Sequence, residues 1–553
     1  MRPVDAMLAV LRDEGVSKVF GNPGTTELPF VEALARSPEF GYVLGVQEAS
    51  VVAMADGYAR ATRRPAFVSL HAAAGLANGL AGLLNANRSR TPLVVTAGQQ
   101  DRRHLLHDPM LSGDLPGLAR AAVKQAVEVQ HARDLPVLLR RAFALAVRPP
   151  AGPVLLSIPM DLLEEETHVG PPPPRSRRGG TAPAAGWREA AALLAGAAAP
   201  AVVAGDGVGR DDALAEMVAV AEALGATVFH QPMNDGVDFP TTHPLYAKTL
   251  EPRNSAIRSA LDGHDVVFVV GTRAFTAHHY EPGSPIPEGT SVVQLDDDPD
   301  EPGRVFPVAL GLVGGIRATL AELAGALAGR VRDAPARTEA AGRKHAAGRA
   351  ALRDRALAAY GDAPMDPLAA VHAVVAGIPD DAVVVEEAIT SGVLLRRLLP
   401  LRRPRSYVHT VGGGLGHGIG AAVGARLGDP SRPVVAVLGD GCTLFGLQGL
   451  WSAARYDVPV VFVVMNNGEY RTLKETVGRR GRIGDGRCAG LDLNPPELDF
   501  TEAARFFGVE AVRAGSARQV TEAVAKAVAG GRPFLVDVPV TGAETRPAGA
   551  PSR

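Results

Sequence analysis

The chain has 553 residues, with 57 Lys and Arg against 59 Asp and Glu, so its formal net charge at pH 7 is −2. Hydrophobic residues make up 46% and charged residues 21%, which is close to the globular average and excludes a disordered chain or a coiled coil. A net charge near zero also lacks the basic footprint of a nucleic-acid-binding protein. The length predicts about three to four domains.

Cysteine usage and hydropathy narrow the class of protein further. Cys442 and Cys488 are the only cysteines, so we expect neither a disulfide framework nor a cysteine-based zinc site. The N-terminal stretch carries acidic residues among its apolar ones, unlike a signal peptide. The longest apolar run, residues 190–205, contains Pro200 and is too short for one membrane-spanning helix. We therefore expect a cytoplasmic protein with no membrane or nucleic-acid partner.

Two shifts in composition divide the chain into three segments. The first is a run of four prolines at 171–174, followed by an Arg- and Gly-rich stretch that is typical of a linker. The second is the Ala- and Arg-rich region 328–362, which could be helical but is more typical of a surface connector. We predict domains over residues 1–168, 183–328 and 360–541.

Each segment alternates short apolar strands with helix-length stretches. Examples are AFVSL at 66–70, VVFVV at 266–270 and VVAVL at 434–438. This alternation predicts βαβ units with parallel strands. The fold class is therefore α/β, with three doubly wound parallel-sheet domains, and we expect functional residues at the carboxyl ends of the strands.

Two strands of the third segment end in polar residues. One runs into Gly439-Asp440-Gly441, and the next ends close to Asn467, 27 positions later. A carboxylate, an amide oxygen and a nearby main-chain carbonyl form a hard oxygen set suited to Mg²⁺, with phosphate oxygens completing the shell. The glycines allow a phosphate to approach the backbone closely. Two ordinary strand-to-helix turns are the alternative.

Three strand exits in the first segment carry Thr25, Glu48 and His71. Alone, Glu48 could be a first-turn charge that complements a helix dipole, and a lone histidine is usually structural. Because three such residues follow three strands, they predict a single acid–base site.

The middle segment contains two weaker patterns. The loop at 205–209, with sequence GDGVG, is similar to a dinucleotide-binding loop but lacks the G-x-G-x-x-G spacing. The adjacent His278 and His279 could bind a metal, transfer protons or simply be exposed, and no third metal ligand is evident.

Several motifs together resemble those of the thiamine-diphosphate-dependent 2-oxo acid decarboxylases. They are GNPGTTELPF at 21–30, VQEASVVAMADGYARA at 46–61, SLHAAAG at 69–75, GGGLGHGIGAAVGA at 412–425 and the paired GDG and NN. The similarity is greatest to the benzoylformate decarboxylases and extends from residue 4 to about residue 540. It implies a pyrimidine-binding, a middle Rossmann-like and a diphosphate-binding domain, the cofactors thiamine diphosphate and Mg²⁺, and a homodimer or homotetramer with active sites between subunits.

The resemblance also implies residue roles. Glu48 matches the glutamate that hydrogen-bonds the aminopyrimidine, His71 and His278 match two proton-transfer histidines, and Thr25 places a hydroxyl near the substrate carboxylate. His278 and His279 should then point apart, so that only one faces the site. The implied cofactor-binding positions are Gly413, Leu415, Gly439, Asp440, Gly441, Cys442 and Asn467, and the implied Mg²⁺ ligands are Asp440, Asn467 and the main-chain carbonyl of Glu469.

Departures from the family pattern lie around the substrate. Thr476 stands where a large aromatic is expected and His417 where an aromatic is expected, while Leu111 still matches an apolar pocket residue. The stretch after Asn467 is basic, with Arg471, Lys474, Arg479, Arg480 and Arg482. These departures indicate either a roomier, more polar pocket for a substrate with a second acidic or oxygenated group, or a solvated helix face.

The predicted activity is decarboxylation of a 2-oxo acid to an aldehyde by a carbon–carbon lyase that needs thiamine diphosphate and Mg²⁺. The first alternative is a carboligase, either acetolactate synthase-like or acyloin-forming. A nucleotide-binding oxidoreductase that uses the middle domain is a more distant alternative. An inactive regulatory subunit is disfavoured by the retained Glu48, His71 and His278.

Overall fold

The computed structural model describes residues 1–176, 180–273, 275–479 and 489–542. Its strands form three sheets, each inside one of the predicted domain ranges. The prediction of an α/β fold with three parallel-sheet segments is confirmed. The first segment and most of the third lie in one compact unit, and residues 178–359 with 394–409 form a second.

The first sheet has parallel strands in the order β2-β1-β3-β4-β6-β5. Its central strands are buried on both faces, which explains their uninterrupted apolar sequence. The strands are β1 Lys18–Gly21, β2 Gly41–Leu44, β3 Ala66–Leu70, β4 Leu93–Gln99, β5 Gln125–Glu128 and β6 Val154–Pro159. The helices are α1 Pro3–Asp13, α2 Leu28–Ala35, α3 Glu48–Thr62, α4 Ala72–Arg88, α5 Leu115–Ala119, α6 Leu135–Ala146 and α7 Met160–Glu164.

The second sheet has the order β12-β11-β10-β7-β8-β9. Its strands are β7 Pro200–Ala204, β8 Thr227–His230, β9 Tyr246–Thr249, β10 Val266–Val270, β11 Ser291–Asp296 and β12 Leu310–Val313. Its helices are α8 Trp187–Ala195, α9 Asp206–Arg210, α10 Leu214–Leu224, α11 Asn254–Leu261, α12 Ile316–Leu327 and α13 Ala334–Ala358. Helix α13 occupies the predicted connector, because Ala and Arg favour a helix even where little of it is buried.

The third segment contains the parallel strand order β13-β15-β16-β18-β17. Its strands are β13 Val383–Glu387, β14 Tyr407–His409, β15 Val434–Gly439, β16 Val460–Asn466, β17 Glu510–Arg513 and β18 Phe534–Pro539. Its helices are α14 Pro367–Gly377, α15 Ser391–Leu398, α16 His417–Gly428, α17 Asp440–Gly446, α18 Gly449–Arg455, α19 Arg471–Arg479, α20 Phe500–Phe506 and α21 Ala517–Gly530.

Helices α3 and α16 join the first and third segments through a close crossing. A side chain on Gly57 of α3 would collide with the Ala421 carbonyl, and one on Gly424 of α16 with the Met54 carbonyl. Small residues at such a crossing let the two backbones touch, and this contact explains why the two segments form one compact unit.

None of the helices in the described ranges has the length and apolar character that a bilayer crossing requires.

Candidate active site

The predicted metal-binding residues lie at the carboxyl ends of β15 and β16. These neighbouring strands pair in parallel, with Gly439 opposite Met465, so the residues that follow them meet at one sheet edge. The Asp440 carboxylate is buried and accepts N–H bonds from Gly441 at 2.7 Å, Asn467 at 2.9 Å and Gly468 at 2.6 Å. Burial raises the pKa of Asp440, and these backbone donors act in the opposite direction.

The structure brings most of the predicted cofactor-binding residues to one cavity. Six of them line it, namely Leu415, Gly439, Asp440, Gly441, Cys442 and Asn467, together with the predicted Mg²⁺ ligand Glu469. Gly413 lies in the loop beside Leu415 with φ +79°, and the space where a side chain would project is open.

The donor chemistry of this cavity fits Mg²⁺ and a diphosphate. The Asp440 carboxylate, the Asn467 amide and a main-chain carbonyl are hard oxygen donors, and Mg²⁺ takes its remaining ligands from phosphate and water. A side chain on Gly441 would collide with the Tyr470 ring, so this position needs glycine. Within the described residues no cluster of three His, Cys, Asp or Glu is arranged for a metal.

Glu48 begins α3, as predicted, and its carboxyl group is held by two amides. Asn22 Nδ2 donates to Oε1 at 3.0 Å, and Asn78 Nδ2 donates to Oε2 at 3.1 Å. Glu48 is only 7% exposed. Its position is thus determined by side chains from the β1 exit and from α4.

His71 caps the start of α4 and contacts a buried carboxylate. Its Nδ1 lies 2.9 Å from Glu27 Oε2 and 3.1 Å from Thr26 Oγ1. Glu27 also accepts N–H bonds from Gly24 at 2.9 Å and Gly98 at 3.0 Å. A carboxylate at this distance fixes the imidazole with its proton on Nδ1, so Nε2 is the nitrogen that can exchange a proton with a bound molecule.

Two further predicted residues flank this histidine. Thr25 is exposed, whereas its neighbour Thr26 is buried and hydrogen-bonds the His71 ring. Leu111 has φ +70°, and its carbonyl accepts the N–H of Ala73 at 3.3 Å, so its loop lies against the start of α4.

His278 belongs to the second compact unit, whereas Glu48 and His71 belong to the first. Its ring lies 4.4 Å from the His279 ring, with Nδ1 3.2 Å from the Nε2 of His279. The expectation that these side chains point apart is wrong, because the two rings contact each other.

His417, which stands where an aromatic is expected, is buried at the start of α16. Its Nε2 lies 3.0 Å from Asp56 Oδ2 on α3, and Asp56 also accepts from Arg60 Nε at 3.1 Å. Although burial acts in the opposite direction, Arg60 and His417 hold the pKa of Asp56 below its usual range. His417 therefore joins two helices and adds no polarity to a substrate pocket.

The basic stretch after Asn467 is largely neutralised where the structure describes it. Lys474 is buried, with its Nζ 2.7 Å from Glu469 Oε2 and in contact with Asp492. Arg471 Nε donates to Glu475 at 2.9 Å, and Thr476 Oγ1 donates to the Thr472 carbonyl at 2.8 Å. Lys474 thus fits neither a solvated face nor a substrate-binding cation. Arg480 and Arg482 lie outside the described residues, as does the side chain of Arg479.

The GDGVG loop of the middle segment packs against its own chain. Asp206 accepts the Asp235 N–H at 2.8 Å and the Gln231 side-chain amide at 2.5 Å. A Cβ on Gly207 would lie 2.6 Å from the Gly271 Cα, so this glycine permits a close backbone contact inside the protein. This packing does not support a nucleotide site at the loop.

Sequence reasoning missed the side chains that orient Glu48 and His71. Asn22 and Glu27 lie within the motif GNPGTTE, and their strand-exit position was an available signal. Asn78 follows His71 by seven positions on α4, and this spacing places both on one helix face.

Comparisons with known proteins agree with this geometry. Three thiamine pyrophosphate enzyme family profiles match in order, the N-terminal domain over residues 1–123, the central domain over 187–323 and the C-terminal domain over 390–538. The chain is 38% identical over 538 residues to a benzoylformate decarboxylase of Pseudomonas aeruginosa, covering 97% of this chain and 98% of the relative.

A solved structure and a more distant relative complete the comparison. The thiamine diphosphate-dependent 4-hydroxybenzoylformate decarboxylase of Rhodococcus jostii superposes with a TM-score of 0.86 at 32% identity, covering 99% of this chain and 100% of the other. The acetolactate synthase large subunit of Corynebacterium glutamicum is 28% identical, over 97% of this chain and 86% of its own. The decarboxylases are thus the more similar group.

Proposed function

Because this chain belongs to the thiamine-diphosphate-dependent 2-oxo acid decarboxylase family, we propose that it decarboxylates an aryl 2-oxo acid of the benzoylformate class. It is a carbon–carbon lyase that releases CO₂ and an aldehyde and uses thiamine diphosphate and Mg²⁺. The observation that carries the substrate proposal is the 38% identity over nearly both full lengths to a benzoylformate decarboxylase.

The proposed roles begin with Mg²⁺ and the diphosphate. Asp440, Asn467 and the main-chain carbonyl of Glu469 hold the ion, supported by their common cavity and their hard oxygen atoms. Gly439, Gly441 and Cys442 bring the backbone at the start of α17 close to the diphosphate. Gly413 and Leu415 contact the rest of the cofactor.

Glu48 holds and supplies a proton at the aminopyrimidine ring. Its two amide partners, Asn22 and Asn78, keep the carboxyl group in place for this task. When bound, thiamine diphosphate supplies the carbon that adds to the substrate ketone and accepts the electron pair released with CO₂. Glu48→Gln should therefore bind the cofactor but lose most hydrogen–deuterium exchange at its C2 carbon, and unchanged exchange would remove Glu48 from this role.

His71 exchanges a proton through Nε2, because Glu27 holds the proton on Nδ1. Thr25 binds the substrate carboxylate, and His278 transfers a second proton. These assignments follow the resemblance and are supported by the Glu27–His71 contact.

We further propose a homodimer or homotetramer in which Glu48 and Asp440 of one site come from different subunits. A mixture of Glu48→Gln and Asp440→Asn subunits, unfolded and refolded together, tests this arrangement. Random pairing would restore about a quarter of the wild-type activity, because half of the pairs are mixed and each has one intact site. Two inactive parents that stay inactive after mixing would place both residues in one chain.

The substrate proposal is tested with a panel of aryl, alkyl and acidic 2-oxo acids. We expect CO₂ and aldehyde in equal amounts, with benzoylformate and its ring-substituted forms giving the highest kcat/KM. A parallel assay with an added acceptor aldehyde distinguishes a decarboxylase from a carboligase. A carboligase would release more CO₂ than aldehyde. Higher kcat/KM for pyruvate, with a coupled product, would overturn the proposal in favour of the acetolactate synthase-like alternative.

A further inference from the structure

The loop that joins β14 to α16 has little rigidity of its own. Residues 412–416 read GGGLG, and Gly413 and Gly416 adopt φ values of +79° and +88°. Glycine in such conformations loses more backbone freedom on folding than any other residue. Yet Leu415 at its centre lines the cavity of Asp440 and Asn467. Contacts from outside the loop must therefore hold it.

Asn85 of α4 makes such a contact with both main-chain groups of one residue. Its Nδ2 donates to the Gly414 carbonyl at 2.8 Å, and its Oδ1 accepts the Gly414 N–H at 3.0 Å. Asn85 is 2% exposed, and a side chain on Gly412 would collide with its amide oxygen. One amide therefore satisfies both polar groups of Gly414 and packs against the start of the loop.

The other end of the loop is held by a buried carboxylate. Glu387 accepts N–H bonds from Gly416 at 2.8 Å, His417 at 3.2 Å and Gly418 at 2.7 Å. This contact fixes the first turn of α16. Gly413 and Leu415 lie on either side of Gly414, so the Asn85 contact acts at the centre of the cofactor-facing segment.

Asn85 lies on the face of helix α4 that also carries Asn78 and that begins at His71, the residue before the helix. His71, Asn78 and Asn85 follow one another at intervals of seven, which returns to nearly the same helix face after two turns. His71 contacts Glu27, Asn78 holds Glu48, and Asn85 holds Gly414. A single helix thus contacts this loop and also the residues around the proton-transfer groups of the same chain.

We propose that Asn85 is a positioning residue that holds the Gly413 carbonyl and the Leu415 side chain where the bound cofactor needs them. This inference rests on the proposed function, and it adds a role for a residue that is not among those lining the cavity of Asp440 and Asn467. A displacement of about 1 Å in a positioning element can slow catalysis about a hundredfold. The proposed metal ligands Asp440 and Asn467 lie on other elements and should stay in place.

The test compares Asn85→Ala and Asn85→Asp with Asn87→Asp, a half-buried asparagine on the same helix, as the matched control. Asn85→Asp keeps the acceptor for the Gly414 N–H but places a carboxylate oxygen against the Gly414 carbonyl. We expect kcat to fall by about ten- to a hundredfold in both Asn85 variants, with the thiamine diphosphate dissociation constant changing less than about threefold. Asn87→Asp should match the wild type.

Hydrogen exchange of the cofactor-free protein gives a readout that needs no activity. The Gly414 amide should exchange about tenfold faster in Asn85→Ala than in the wild type, the scale of one lost hydrogen bond. Unchanged exchange, or weakened cofactor binding at normal kcat, would overturn the proposal. If neither Asn85 variant folds, hydrogen exchange of the wild-type protein decides the question. A Gly414 amide protected from exchange supports the Asn85 contact, and an unprotected one refutes it.

Failure of the proposed function is recognisable separately. A wild-type protein that releases no CO₂ from any 2-oxo acid would refute the decarboxylase activity. The exchange of Gly414 and the binding of thiamine diphosphate would still decide whether Asn85 holds this loop.

Discussion

Two loops of this chain share the sequence Gly-Asp-Gly after an apolar parallel strand, and they differ in what lies opposite them. At 439–441 the loop lines a cavity, and the Asp440 carboxylate accepts three backbone N–H bonds. At 205–207 the loop closes on its own chain, with Gly207 against the Gly271 backbone. The same three residues thus line a cavity in one unit and form a packing contact in the other.

The electrostatics of the two aspartates differ in the same way. Burial and the nearby Asp235 and Asp238 raise the pKa of Asp206 well above its usual range, and the half-buried Arg210 offsets this only in part. Burial also raises the pKa of Asp440, and the main-chain N–H groups of Gly441, Gly468 and Asn467 act in the opposite direction. The neighbours of the motif, not the motif, decide its chemistry.

The sharpest test of this comparison exchanges each aspartate for its neutral isostere. Asp440→Asn removes the anionic ligand, so we expect Mg²⁺ and thiamine diphosphate to bind roughly a hundredfold more weakly or worse, since outer partners alone cost ten- to a hundredfold. Asp206→Asn should leave both affinities within about twofold, because it replaces a carboxyl group in a hydrogen-bonded core. Calorimetric titration measures both.

Two results of these titrations would contradict the different roles of Asp440 and Asp206. Wild-type cofactor affinity in Asp440→Asn would remove this residue from the metal site. A large loss of affinity in Asp206→Asn would mean that the middle unit contributes to cofactor binding after all.

The histidines test whether the middle unit takes part in the chemistry. We expect His71→Ala and His278→Ala each to lower kcat/KM about a hundredfold, the usual scale of general acid–base catalysis. His279→Ala is the internal control, although the contact between the two rings predicts a small secondary effect. If kcat/KM falls strongly in His279→Ala but stays nearly normal in His278→Ala, the proton-transfer role belongs to His279 instead. Steady-state kinetics with the best 2-oxo acid distinguish these outcomes.

A third prediction concerns stability and the packing at Gly207. In Gly207→Ala the new methyl group would meet the Gly271 backbone and the Ile316 side chain. We expect a loss of about 1–3 kcal/mol in the free energy of unfolding, the usual cost of overpacking, with unchanged cofactor affinity. Gly325→Ala on α12 is the control, because open space surrounds that position. Equal unfolding midpoints for the two variants would show that the loop at Gly207 accommodates an added methyl group without a steric clash.

Much of the fold and part of the site could be predicted because their signals are local. The run AFVSL coincides with β3, and Asp440 and Asn467 meet because parallel strands align their carboxyl ends. The short edge strand β17 carries no continuous apolar run and gave no signal.

The contacts that orient the site could not be predicted from sequence alone. Glu27 meets His71 across 44 positions, and Asn85 meets Gly414 across 329. Hydropathy and spacing do not encode such pairs, since they arise only when distant segments pack. The same limit applies to Lys474, whose burial against Glu469 depends on the packing of α19.

The smallest expected effect is on the pH dependence of stability, and it comes from the carboxylates around the loop at 205–209. Burial and the neighbouring Asp235 raise the pKa of Asp238 to about 7, from 3.8 in an exposed carboxyl group. Between these pH values the native protein retains a proton that the unfolded chain has released. The free energy of unfolding therefore falls as the pH rises through this window, and the stabilisation is lost above the folded pKa.

Asp238→Asn removes this dependence, because an amide does not ionise. We expect the variant to gain stability relative to the wild type as the pH rises from about 4 to about 8, with a slope below the limit of about 1.4 kcal/mol per unit. Asp206 lies in the same cluster and can hold the proton instead, so the net change should be on the order of 1 kcal/mol. Urea unfolding of both proteins across this range measures the difference. A variant that instead loses stability relative to the wild type as the pH rises would show that Asp238 is ionised in the folded protein and paired.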